Sequence, residues 1–220
     1  MNSALNNNFI VQRQTESIST TKDHLVSNLG IITEAIQRGL SVRRMMTENN
    51  PVTSSGQYFY GEVVRALREL LKPVGYEKAS IRNVELTINK TEGIAIYLCS
   101  GCEQTGNLSG APQSIRQRGD FTLELLSLKY DDSPNIDLFP ELLPEAKPQN
   151  KLNCEVWFLL HFFDKTNNSV KAELARAISY DKKGFVTGFD RKNRIIINID
   201  SDEIVDIAPD FTDVIDFDIG

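Results

Sequence analysis

The clearest periodic pattern in the chain predicts an amphipathic helix from Tyr58 to Val74. Apolar residues recur there every three or four positions, so they share one helical face. These residues are Tyr60, Val63, Val64, Leu67, Leu70, Leu71 and Val74. Charged residues fill the other positions, and the apolar face is therefore expected to pack on protein. Ser54 or Ser55 can cap the start of the helix, and Gly75 favours its end near this point.

A second amphipathic pattern predicts a helix from Lys22 to Arg38, with Thr20 and Asp23 at capping-box spacing. Its apolar stripe consists of Leu25, Leu29, Ile32 and Ile36. Glycine weakens helices, so the pattern predicts a kink at Gly39 before a further helical segment.

Strict alternation of apolar and polar residues predicts a strand over Ile81–Lys90. A short turn at Thr91, Glu92 and Gly93 leads into a second strand over Ile94–Leu98. The two strands are predicted to form an antiparallel hairpin with one buried face, on which the helix from Tyr58 can pack.

The last third of the chain predicts a meander of short strands. The nearly all-apolar run Cys154–Phe163 is typical of a central strand that is covered on both faces. Alternating segments at 170–175, 185–189 and 194–199 predict further strands, and polar turns separate them.

These elements predict an α+β fold in which N-terminal amphipathic helices pack on a mainly antiparallel sheet, formed by the hairpin 81–99 and the meander 154–199. Residues 1–20 are expected to be a flexible arm, 21–209 a single body and 210–220 an acidic tail. Proline-rich residues 130–152 leave a subdivision of the body open. Residues 120–129 fit both a strand and a helix, and the strand is favoured.

Composition narrows the functional classes. With 40% hydrophobic residues among 220, the chain can form a core. Residues 1–129 carry 14 Lys and Arg against 12 Asp and Glu, whereas residues 130–220 carry 10 against 18. The resulting net charges of +2 and −8 account for the −6 of the whole chain. An acidic half argues against duplex-DNA binding, because phosphate contacts need a basic surface.

The sequence predicts a soluble cytoplasmic protein. The N-terminus lacks the charged and apolar regions of a secretory signal, and the longest apolar run, Val156–Phe163, is too short to span a bilayer. Three cysteines are too few for a disulfide scaffold.

Cys99 and Cys102 form the one motif-like pair, which could hold one side of a zinc ion or act as a dithiol. Besides carboxylates, the further ligands that the chain offers are Cys154, His161 and His24. Cys154 and His161 lie seven positions apart on a predicted strand, which should put them on opposite faces. A redox-active dithiol needs a following helix that lowers the pKa of its first cysteine. Here an acidic residue and glycines follow the motif, so no helix is expected. The residues around the pair therefore predict no cofactor, and no zinc at Cys99 and Cys102.

Other catalytic arrangements have little support in the sequence. The chain has two histidines, of which His161 is interpreted as a core residue, and no strand–GxSxG–helix context accompanies them. No Walker loop or dinucleotide fingerprint is present. Asp120, Glu124 and Lys129 lack the spacing of a metal-dependent nuclease centre. A non-enzymatic protein is therefore favoured.

The glycine-rich segment 99–119 is a candidate anion site. Glycine-rich backbone can bind anions, and Arg116 and Arg118 could add donors beside Gly106 and Gly110. A surface loop with two solubilising arginines is the more ordinary interpretation. The functional alternative is a protein that binds anions or nucleotides, or a hydrolytic protein, that uses this segment.

The C-terminal stretch 200–220 contains eight acidic residues and no basic one, interleaved with apolar residues. The residues predicted to contact a partner are Asp210, Phe211, Asp213, Asp216, Phe217 and Asp218. Such a stretch is typical of a peptide that folds on a protein partner, or of a segment that packs on its own body. The sequence therefore predicts an interaction or accessory protein, with a protein partner or self-association, that acts through its acidic C-terminus.

Overall fold

The computed structural model describes residues 20–126, 129–130, 152, 154–164 and 169–199. Their helices are α1 (20–27), α2 (Leu29–Arg44), α3 (Ser54–Leu70), a 3₁₀ turn (Lys72–Val74) and α4 (Asp120–Leu125). Their strands are β1 (Glu77–Ile81), β2 (Val84–Asn89), β3 (Ile94–Ser100), β4 (Lys129–Tyr130), β5 (Glu155–Asp164), β6 (Ser169–Tyr180), β7 (Val186–Phe189) and β8 (Ile195–Ile197). The predicted α+β class is confirmed.

One mixed sheet organises these elements. Its strand order is β1-β2-β3-β5-β6-β4, and β7 and β8 also pair with β6. The pairs are antiparallel except for β3 with β5 and β4 with β6. The parallel pair β3–β5 needs a long crossover connection, and the chain between Ser100 and Glu155 provides it. The strand predicted as central, β5, lies between β3 and β6.

Helices α2 and α3 cover one face of the sheet. Phe59, Val63 and Leu67 on α3 and Ile36 on α2 are buried in a core that includes Trp157 of β5. Burial of large apolar side chains stabilises a fold by about 1.5–3 kcal/mol each, which makes this packing the main reason for the position of α3.

A second core lies on the opposite face. It joins the alternate residues of β2, β3 and β5, including Leu86, Tyr97 and Phe158, to Leu123 and Leu126 of the α4 region. The expectation that the hairpin has one buried face is therefore wrong: β2 and β3 are buried on both sides.

The N-terminal helix breaks at a different position from the one predicted. The interruption lies at Asn28, whose side-chain amide donates to the His24 carbonyl 2.8 Å away and so competes with the helical backbone. No break occurs at Gly39, because α2 continues through it. A Cβ at Gly39 would lie 2.4 Å from Cγ2 of Val63, so this glycine serves the close approach of α2 and α3.

The strand predicted over Ile81–Lys90 is observed as β2, but it begins only at Val84, and Ile81 is the last residue of a separate strand, β1, that was not predicted. Arg82 and Asn83 have φ angles of 47° and 67°, and they form a tight turn between β1 and β2. Positive φ at both central residues is the geometry of a type I′ hairpin turn, which glycine or asparagine usually marks. Because the first of the two positions is an arginine and not a glycine or asparagine, the sequence did not predict this turn.

Two further boundaries differ from the predictions. Residues Asp120–Leu125 form a helix and not the favoured strand, since Leu123 and Leu126, three positions apart, both enter the second core. Helix α3 begins at Ser54 and ends at Leu70, so Val74 lies outside it and is 38% exposed. The left-handed Gly75, with φ of 89°, follows as expected.

The predicted N-terminal arm, the proline-rich connection and the acidic tail fall almost entirely outside the described residues. Of the helices in the described ranges, none is long and apolar enough to cross a membrane.

Candidate functional site

Four strands place one row of residues across the sheet. Ser100 of β3 pairs with His161 of β5, His161 with Ala172 of β6, and Ala172 with Ile197 of β8. Because β3, β5 and β8 run in the same direction, their carboxyl ends leave the sheet on the same edge. The end of α2 and the start of α3 lie there too, since the guanidinium carbon of Arg43 is 3.8 Å from the ring centroid of Phe163.

His161 is the buried centre of this row. Its ring lies 4.8 Å from that of Phe59 and 5.5 Å from that of Phe163, and its Nε2 lies 3.3 Å from Oγ of Ser100. Among the described residues, Nδ1 has no hydrogen-bond partner. Burial, followed by the positive charges of nearby arginines, lowers the pKa of His161 to about 4, so its imidazole is neutral at pH 7.

The Ser100–His161 contact unites two residues that no sequence motif connects. Nucleophilic catalysis by serine needs a base that a third group orients, commonly a carboxylate on Nδ1. Within the described ranges, no carboxylate forms a hydrogen bond with that atom. With a pKa near 4 the histidine is also a weak base. The geometry of the described residues therefore fits a core hydrogen bond better than a catalytic dyad.

Three arginines raise the electrostatic potential around His161. Arg43, Arg116 and Arg118 each lower its pKa. Arg43 donates from Nη1 to Oγ of Ser55 at 3.1 Å, and Arg116 is exposed. In the described part of the chain, none of the three forms an ion pair with a carboxylate.

The exposed part of this region is called the arginine edge below. It is defined by the half-buried Arg43 and the exposed Arg44 at the end of α2, the exposed Arg116, and three exposed apolar residues: Met45 and Val52, which lie between α2 and α3, and Ile115, which precedes Arg116. The Ile115 amide donates to the Ser100 carbonyl at 3.1 Å, which places residues 115 and 116 directly beside the row.

The predicted pair Arg116 and Arg118 is divided between two environments. Arg118 donates from Nη2 to Sγ of Cys99 at 2.8 Å and lies 5.5 Å from the ring of Tyr97. Both of those residues belong to the second core, on the face opposite His161. Arg116 alone of the two therefore contributes to the exposed arginine edge.

The predicted glycines Gly106 and Gly110 belong to a loop that a buried arginine holds. Arg194 donates to the carbonyls of Asn107, Leu108 and Gly110 and to the carboxylate of Glu173. In this segment the carbonyl oxygens converge on a cation, which is the opposite of the amide arrangement that an anion needs. Sequence reasoning missed this ion pair, although an arginine beside the apolar run Ile195–Ile197 was a signal for it.

Gly106 also lines a shallow polar depression on the surface. The depression has a volume of ≈ 580 Å³, and its lining contains Glu103, Gln104, Asn107 and Lys171 but neither Arg116 nor Arg118. The four residues predicted as one anion site therefore do not line this depression together.

The cysteines lie in different environments. Burial raises the pKa of Cys99, and this effect outweighs the opposing charge of Arg118. Cys102 is half-buried. Cys154 lies in the second core and His161 packs on Phe59, so their side chains face opposite sides as the spacing predicts. Across the described ranges, no three potential metal ligands come together.

The residues predicted to contact a partner, from Asp210 to Asp218, lie outside the described residues. Comparison of the chain with family models, curated proteins and solved structures found no match.

Proposed function

We propose that this protein is a non-enzymatic interaction protein that binds a protein partner through its acidic C-terminal segment, residues 200–220. The observation that carries this proposal is the row Ser100–His161–Ala172–Ile197. Strand β8 ends at Ile197, and the acidic segment starts three residues later. The segment therefore begins at the edge of the sheet that also carries Arg43 and Arg116.

The chemistry of the segment suits recognition of a basic and partly apolar surface. Its eight carboxylates would select and orient a basic partner, because charge complementarity governs association rate and specificity. Its interleaved apolar residues, among them Phe211 and Phe217, would supply buried area. Acidic and apolar residues in alternation are typical of segments that order on binding.

The proposal is tested by partner capture with the full chain and two variants. One variant lacks residues 210–220, and the other carries Asp213→Asn, Asp216→Asn and Asp218→Asn together. Partners that depend on the segment are identified by mass spectrometry, and a synthetic peptide of residues 210–220 should compete for them. Both variants are expected to lose these partners while circular dichroism stays unchanged. Retention of every partner by the truncated chain contradicts the proposal.

A second candidate function is the binding of a small phosphate-bearing anion at the arginine edge. The supporting observation is that Arg43 and Arg116 both act on His161 without an ion-pair partner among the described residues. Arginines recognise phosphate by charge-assisted, bidentate hydrogen bonds.

Thermal unfolding with and without nucleotides or inorganic polyphosphate tests this second function, because a ligand of the folded state raises the midpoint. Arg116→Glu should abolish the shift. Lys72→Glu is a matched control, since Lys72 is also exposed and lies in the 3₁₀ turn after the far end of α3. An equal shift in both variants indicates non-specific attraction and contradicts a site at the arginine edge.

A further inference from the structure

We infer that residues 200–220 dock on the arginine edge of their own chain and cover it until a partner competes for the acidic segment. This inference deepens the proposed function, and it rests on that function for the identity of the competing partner. The docking itself stands on three independent features of the molecule: where the segment starts, how the charges are distributed and which apolar residues are exposed.

The starting point places the segment within reach. Neighbouring strands are about 4.8 Å apart, so β8 and β3 lie about 14 Å apart along the row. The 21 residues from Asp200 to Gly220 can extend over about 70 Å. The segment can therefore cross from Ile197 to Arg116 with fewer than half of its residues.

The charges of the two surfaces are complementary. The segment has eight carboxylates and no basic residue. Arg43, Arg44 and Arg116 make no ion pair within the described part of the chain, whereas Lys171 at the same edge is already paired with Asp164 at 3.4 Å. Against these three arginines, the connection between α2 and α3 contributes one carboxylate, that of the exposed Glu48. The remaining arginines favour an acidic segment.

The exposed apolar residues are complementary as well. Met45 is 57%, Val52 99% and Ile115 53% exposed. Exposed apolar side chains in the same segments as arginines without ion pairs suit a surface that another segment covers. Phe211 and Phe217 alternate with the carboxylates of the acidic segment, so one stretch can satisfy both the arginines and the apolar residues.

Attachment to the same chain favours this occupant over a second copy. A tether of this length gives an effective concentration in the millimolar range, so even a contact with a dissociation constant of about 0.1 mM is mostly formed. The same contact between two molecules would be largely dissociated in dilute solution.

Hydrogen exchange followed by mass spectrometry on the full chain tests the inference. Two charge-reversal variants are compared, Arg44→Glu with Arg116→Glu at the arginine edge, and Lys72→Glu with Lys78→Glu at exposed positions elsewhere. They change the net charge equally. We expect exchange in residues 210–220 to accelerate about tenfold in the first variant and to stay unchanged in the second.

A reciprocal measurement completes the test. Deletion of residues 210–220 should accelerate exchange in residues 45–53 and 115–118 of the arginine edge. Equal exchange of residues 210–220 in both charge variants overturns the inference. Protection of these residues that appears only in concentrated protein also overturns it, because concentration dependence indicates that the segment docks on a second copy. If partner capture still requires the segment, the proposed function survives that failure. If capture is unaffected by the deletion, the function fails whether or not the segment docks.

Discussion

Arg194 and Glu173 form a buried ion pair between β6 and the residue before β8. Nε and Nη2 of Arg194 lie 2.9 Å and 2.5 Å from the same carboxylate oxygen, and both side chains are almost fully enclosed. Burial raises the pKa of Glu173, and Arg194 opposes this effect. The pair holds the loop 107–110 against the second face of the sheet, because Arg194 also donates hydrogen bonds to the carbonyls of Asn107, Leu108 and Gly110.

Removal of one member of this pair should be strongly destabilising. In Arg194→Met, Glu173 stays buried without its charge partner, and the free energy of unfolding should fall by about 3–5 kcal/mol. Urea denaturation measures the change. The double variant Arg194→Met with Glu173→Leu should recover much of this loss, since an apolar pair leaves no buried charge. If the double variant is as unstable as Arg194→Met, the loss of stability comes from the hydrogen bonds that Arg194 donates to the loop carbonyls and not from the buried charge of Glu173.

Gly39 provides a second test of packing. Gly39→Ala would place a Cβ 2.4 Å from Val63 and 3.0 Å from Phe59, so α2 and α3 must separate. We expect a loss of about 1–3 kcal/mol in the free energy of unfolding. Gly61→Ala on α3 is the matched control, because no atom lies within 4 Å of the added Cβ. It should stabilise the protein by about 0.5–1 kcal/mol. Equal effects of both substitutions would contradict this account of the helix contact.

Local periodicity was sufficient to predict most elements. The stripe of α3 and the apolar run of β5 indicated both their type and their burial. The spacing of the apolar residues includes Tyr60 in the predicted stripe, but the fully buried aromatic residue is Phe59. Which of two adjacent residues is buried depends on the surface of α2 and the sheet against which α3 packs. The sequence does not predict the turn at Arg82 and Asn83, because the pairing of β1 with β2 imposes positive φ angles there although neither residue is glycine.

The candidate site depends on contacts that periodicity does not encode. Ser100 and His161 are 61 positions apart in the chain, and they meet because β3 pairs with β5 in parallel. The sequence predicts one site for Arg116 and Arg118, yet their side chains have different surroundings. The position of Arg43 over Phe163 follows from the packing of α2 on the sheet, which no local pattern predicts.

The buried histidine should make stability depend on pH. The pKa of His161 is about 4 in the folded protein and 6.5 when unperturbed. Between these values the unfolded state binds the proton and the folded state does not. The free energy of unfolding therefore falls as the pH decreases from about 6.5 to 4, by at most about 3 kcal/mol.

Unfolding curves at several pH values for the native chain and His161→Phe isolate this contribution. The phenyl ring can pack with Phe59 and Phe163 but cannot take up a proton. The pH dependence of the variant should be weaker in this window than that of the native chain. Identical slopes would show that His161 is protonated equally in both states, and would contradict the lowered pKa.

The cysteines should differ in reactivity. The thiolate is the form that alkylating agents attack, and burial raises the pKa of both Cys99 and Cys154. Cys102 is the most accessible of the three. Iodoacetamide should therefore modify Cys102 first in the folded protein, and all three at comparable rates in denaturant. Mass spectrometry of the digested protein identifies the modified positions over time.

Arg118→Leu separates the two influences on Cys99. The guanidinium favours the thiolate, whereas desolvation opposes it, and desolvation is the larger effect. Removal of the charge should raise the pKa of Cys99 further and slow its modification, whereas Cys102 should react as before. Arg116→Leu is the control, because Arg116 is exposed and the guanidinium that acts on Cys99 is that of Arg118. Rapid modification of Cys99 in the folded native chain would show a reactive thiolate, and would return the Cys99–Cys102 pair to consideration as a redox site.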